Sequence, residues 1–64
     1  MDQETFNLSI RKFLKMVGVN SQREIEQAVQ QSASKLGNSF AVKMTLEIPA
    51  LSVKVPFDGE IRLK

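Results

Sequence analysis

The sequence predicts a two-layer α+β domain in which an N-terminal αα-hairpin packs on one face of a three-stranded antiparallel β-meander. Apolar residues recur with helical spacing from Phe6 to Leu36, a glycine followed by a capping box interrupts that run, and beyond Asn38 the apolar period falls to two. All 64 residues are read as one domain.

The first helix is expected at about residues 3–17. Phe6, Ile10, Phe13, Leu14 and Val17 lie within one stripe of a 3.6-residue helix. Asp2 can accept from the first free amides, and Asp2 and Glu4 place negative charge at the positive end of the helix dipole. Lys12 and Lys15 sit towards the other end. Gly18 offers the left-handed conformation that closes a helix, with Val19 as the apolar residue beside such a cap. Ser21-Gln22-Arg23-Glu24 then reads as a capping box, opening a second helix at about 22–36. Its inner face is Ile25, Val29, Ser32, Ala33 and Leu36, and Gly37-Asn38 ends it.

Three strands follow, at about 41–48, 51–56 and 60–64. Val42, Met44, Leu46 and Ile48 alternate with Lys43, Thr45 and Glu47, and Leu51, Val53 and Val55 alternate with Ser52 and Lys54. A two-residue loop at Pro49-Ala50 opposes Ile48 to Leu51, Leu46 to Val53 and Met44 to Val55, so every pair matches in polarity. A second loop at Phe57-Asp58-Gly59, with a bulge at the glycine, opposes Val55 to Ile61 and Val53 to Leu63. Pro56 fits near a strand end.

Composition excludes several kinds of chemistry. A chain of this size buries only about 60% of its extended surface, and with no cysteine it has no disulfide to reinforce a small core. There is no histidine or cysteine to act as base or thiol nucleophile, and no spaced carboxylate pair, metal-ligand cluster or phosphate-binding loop. Ser9 falls on a helix flank, Ser21 is used in capping, and Ser32 faces inward. The expectation is therefore a protein that is not an enzyme and needs no cofactor or metal. The acidic start lacks the basic region of a secretory signal, and no apolar run approaches the ~20 residues of a membrane span. A cytoplasmic protein with no membrane partner is expected.

Nine basic and seven acidic residues are spread along the chain for a net charge of +2, without the clustered excess of a nucleic-acid binder. FLKMVGVNSQREIEQAV nevertheless resembles the DNA-binding helix-turn-helix, which would assign Arg23 and Gln27 to DNA contact. Two departures weaken that alternative: Ile25 comes one position late after Gly18, and the bulky Leu14 stands where the motif has a small residue. Glu24 and Glu26 also offset Arg23 and Lys35. The stronger candidate is a partner surface formed by Leu8, Arg11, Lys12 and Lys15 on the outward side of the first helix. An unidentified protein partner is expected there, or self-association with Leu8 and Met16 near the interface.

The segment ETFNLSIRKFLKMVGVNSQREIE, from Glu4 to Glu26, resembles the opening of a group of short bacterial proteins classed as a domain of unknown function. These begin Met-x-x-Glu-Thr-Phe-Asn-x-Ser-Ile-Arg-Lys-Phe-Leu-Lys and continue Val-Gly-Val-x-Ser-Gln-Arg-Glu-Ile-Glu. Over the strands the likeness is looser, with Gly59-Glu60 matching an acidic Gly-Glu near the end. The resemblance implies a bacterial, stand-alone, cytoplasmic protein and brings no activity and no site residues.

Overall fold

The computed structural model describes residues 1–64, the side chain of Ala33 excepted. Helix α1 spans Gln3–Ser32, a 3-10 turn follows at Ala33–Lys35, and strands β1 (Ser39–Ile48) and β2 (Val53–Arg62) are joined through a second 3-10 turn at Pro49–Leu51. Residues 1–32 and 33–64 form two separate compact units. The expected αα-hairpin on a three-stranded meander is therefore corrected to one long helix and one two-stranded hairpin.

The start of α1 follows from Asp2. The Glu4 and Thr5 amides donate to its Oδ1 at 3.1 and 3.4 Å, and the Thr5 hydroxyl donates to Oδ2 at 2.8 Å. The Phe6 amide donates to the Asp2 carbonyl at 3.0 Å, which is the first turn of the helix. From there α1 continues for 30 residues, about 45 Å at 1.5 Å per residue.

The helices expected at 3–17 and 22–36 are thus one helix through Gly18. Gly18 does not take a positive φ, and Ser21 lies in the helix interior instead of at a cap. The reason is phase. Val17, Ser21, Ile25, Val29 and Ser32, all half-buried, follow Phe6, Ile10 and Phe13 at steps of three or four, so the stripe crosses the glycine without a reset. A lone helical glycine costs about 1 kcal/mol relative to alanine, too little to offset an uninterrupted stripe and its backbone hydrogen bonds. The expected end at Gly37-Asn38 is corrected: α1 ends at Ser32, and a 3-10 turn at Ala33–Lys35 precedes Gly37, which turns the chain with φ +70°.

In the hairpin, Ser39 opposes Arg62 and Ile48 opposes Val53. Two features of the expected meander are corrected. The loop is longer than Pro49-Ala50, because Pro49–Leu51 form a 3-10 turn closed by Ser52 at φ 54°, with the Ser52 amide donating to the Pro49 carbonyl at 3.3 Å. Leu46 therefore opposes Val55 and Met44 opposes Phe57, a slip of two residues from the expected register. Side chains alternate with a period of two, so this slip leaves both faces as expected.

The second correction is that no turn occurs at Asp58-Gly59. Both lie inside β2, opposite Lys43 and Val42. Once the register has slipped, Val53, Val55, Phe57, Gly59 and Ile61 share a face, and β2 keeps its alternation by running straight on. Residues 60–62 extend β2 and pair with Ser39–Ala41, in place of a third strand.

The apolar face of the ribbon consists of Phe40/Ile61, Val42/Gly59, Met44/Phe57, Leu46/Val55 and Ile48/Val53. Its polar face carries Lys43 opposite Asp58 and Glu47 opposite Lys54, the latter pair at 3.9 Å between exposed side chains. Such a surface ion pair contributes about 0 to 1 kcal/mol. Among the described residues none is fully buried, so neither unit encloses a core of its own.

Candidate functional site

The candidate face is set by helical spacing. Leu8, Arg11, Lys12 and Lys15 stand at i, i+3, i+4 and i+7 of α1, which aligns them along one side over two turns. All four are exposed, Leu8 at 51%. Val19 and Met16 are exposed to a similar degree on the following turns. Between Thr5 and Arg23 the helix carries Arg11, Lys12, Lys15 and Arg23 and no acidic residue, while Glu4 precedes that run and Glu24 and Glu26 follow it.

Continuity of α1 places on one helix residues expected on two different surfaces. Arg23 lies three helical turns beyond Lys12 on nearly the same side, and Gln27 follows one turn later. A helix-turn-helix docks its second helix by turning the chain away from the first. Here the residues proposed for that turn lie inside an uninterrupted stretch of α1, so the motif resemblance loses its geometric premise. The acid-free run marks this single surface in the sequence, and it is continuous only because α1 passes through Gly18.

Two shallow, open depressions mark the surface. One lies on α1 between Val19, Gln22, Arg23 and Glu26, and the other on the hairpin beside its loop, between Glu47, Pro49, Ser52, Val53 and Lys54. Neither holds a cluster of like charges. Among the described residues no group of three or more His, Cys, Asp or Glu side chains converges on a point where a metal ion would sit.

The Asp2 carboxyl is perturbed. The Thr5 hydroxyl, the Thr5 amide and the Glu4 amide, in that order of effect, hold its carboxyl below the ordinary value of 3.8 by bonding to the charged form. This is a capping group at the helix start, so its shift belongs to α1 and not to a reaction site.

Among the described residues no helix is long and apolar enough to cross a membrane. No curated protein and no solved structure matches the chain. The model of the family of unknown function DUF6494 matches residues 1–64, and the chain belongs to that family.

Proposed function

We propose that this protein is a non-enzymatic protein-interaction module whose contact face is the side of α1 bearing Leu8, Arg11, Lys12 and Lys15. The observation that carries this reading is the run from Thr5 to Arg23, in which four cations and no acid accompany an exposed leucine on a regular helix. A rigid helix presents these groups at fixed spacing, and cations without neighbouring acids retain their field for a partner. Such a face suits an acidic protein surface with an apolar pocket for Leu8. The bacterial cytoplasm is taken as its setting, on the resemblance over Glu4–Glu26.

The test is affinity capture from the source cells followed by mass spectrometry, comparing the wild type with Leu8→Glu and Lys12→Glu. The expected result is at least one protein retained by the wild type, lost with both variants, retained with Arg62→Ala, and released as salt rises. Identical captures by all four baits, or none above background, would exclude this face.

A further inference from the structure

The two edges of the hairpin differ in their capacity to accept another strand. The Leu63 amide donates to the Asn38 carbonyl at 2.7 Å, which fixes the phase of the ladder: hydrogen-bonded pairs alternate from there with non-hydrogen-bonded ones. Phe40, Val42, Met44, Leu46 and Ile48 therefore direct their main-chain groups towards β2. Ala41, Lys43, Thr45 and Glu47 direct theirs to the outer edge of β1. On β2 the outward residues are Lys54, Pro56, Asp58, Glu60 and Arg62, and Pro56 has no N–H to offer at the centre of that edge. Among the described residues no third strand pairs with either edge. The open edge thus belongs to β1, which spans ten residues without a proline or a bulge.

We propose that the outer edge of β1 pairs antiparallel with β1 of a second copy of this chain, about a two-fold axis at Thr45, to make a continuous four-stranded sheet. Such pairing sets residues on the same face opposite each other, so the apolar faces of the two ribbons become one. With the axis at Thr45, Lys43 opposes the partner's Glu47, and Glu47 opposes the partner's Lys43. Within each ribbon Lys43 already faces Asp58 and Glu47 faces Lys54. The polar face then carries, across four strands, Asp58, Lys43, the partner's Glu47 and the partner's Lys54, with the sign alternating at every step.

Neighbouring registers lose this match. An axis at Met44 sets Lys43 against threonine and Glu47 against alanine, and one at Lys43 sets lysine against lysine. The main-chain phase agrees with the charges, because Lys43, Thr45 and Glu47 are the residues whose N–H and C=O face outward and would exchange bonds with the partner's Glu47, Thr45 and Lys43. A two-stranded ribbon is marginal alone, and four strands with one apolar face satisfy the usual requirement for a stable sheet. This surface lies on a different element from the α1 face, and neither proposal depends on the other.

The test uses the full chain and complementary charge reversals. Lys43→Glu alone places glutamate against the partner's Glu47, and Glu47→Lys alone places lysine against the partner's Lys43. Each should raise the dimer Kd by about tenfold in equilibrium sedimentation. An equimolar mixture of the two should regain the wild-type Kd, because every cross-copy pair then has opposite signs. Circular dichroism checks that each variant remains folded.

A second measurement does not depend on charge. The chain has no cysteine, and Thr45→Cys would meet its own copy across a hydrogen-bonded pair at about 5.5 Å between Cα atoms, within disulfide reach. Mild oxidation in dilute solution should join Thr45→Cys into dimers at least about tenfold faster than Lys64→Cys. A wild type that stays monomeric at millimolar concentration would overturn the proposal and leave the edge to a strand from another protein. So would a mixture no tighter than its components, or cross-linking at equal rates.

Discussion

The helical unit, residues 1–32, and the hairpin unit, residues 33–64, take up equal shares of the chain, and they answer differently to their local signals. In α1 a conspicuous glycine and a capping box are overridden by the phase of the apolar stripe, which continues from Val17 through Ser21 to Ile25. In the hairpin the apolar pattern survives intact while the pairing moves by two residues. A helix is governed by contacts three and four residues away, so a single weak position is absorbed by its neighbours. A ribbon is governed by its loop, and the conformation of that loop sets every pair beyond it.

The largest effect on α1 is expected from Asn20→Pro. In a continuous α1 the proline removes a hydrogen bond and clashes with the preceding turn, at a cost of about 3 kcal/mol or more. A large loss of ellipticity at 222 nm is expected. In two helices joined at residues 18–21 the same substitution would fall in the connection and leave the signal nearly unchanged.

The two glycines at the ends of the disputed region should respond with opposite signs. Gly37 holds φ +70°, so Gly37→Ala should lower stability by about 1 to 2 kcal/mol, read as a reduced urea midpoint. Gly18 has no positive φ and nothing within 4 Å of where a Cβ would lie. Gly18→Ala should therefore raise stability by somewhat less than about 1 kcal/mol. A destabilised Gly18→Ala protein would restore the turn that the sequence suggested.

The smallest effect is expected at Asp2, which is fully exposed. Its pKa is lowered in the folded chain, so its contribution is present above the unfolded value and lost as pH falls through the folded one. Fraying of the first turn should set in only as pH drops below about 4, followed through the amide shifts of Glu4 and Thr5. In Asp2→Ala the first turn should already be frayed at neutral pH, with no further change on this account. A wild-type shift profile that did not change with acid would remove the cap from the account of helix initiation.

These differences explain how much of the molecule was legible beforehand. The Asp2 cap, the turn at Gly37 and both faces of the ribbon could be read, because each depends on residues a few positions apart or on parity alone. The helix count was misread because Gly18 and Ser21-Glu24 are competent signals when taken singly, and only the stripe on both sides of them decides the outcome. The strand count was misread because Asp58-Gly59 is a favoured turn pair, yet Ser39–Lys43 supply a longer partner strand that keeps β2 extended past it. For the candidate site, the alignment of Leu8, Arg11, Lys12 and Lys15 needed only helical spacing. Its relation to Arg23 and Gln27 was hidden by the same glycine.

Pro56 has a consequence for how large an assembly of this chain can become. A subunit with two reactive edges polymerises, as a monomer with two functional groups does, and ribbons with alternating apolar residues are apt to grow into fibrils. In the proposed pairing Pro56 makes each copy monofunctional: β1 adds a neighbour, and the next exposed edge is then a β2 that stops the reaction. Growth would then end at a closed pair, and the chain would keep a strand long enough to be adhesive without becoming the repeat unit of a fibre.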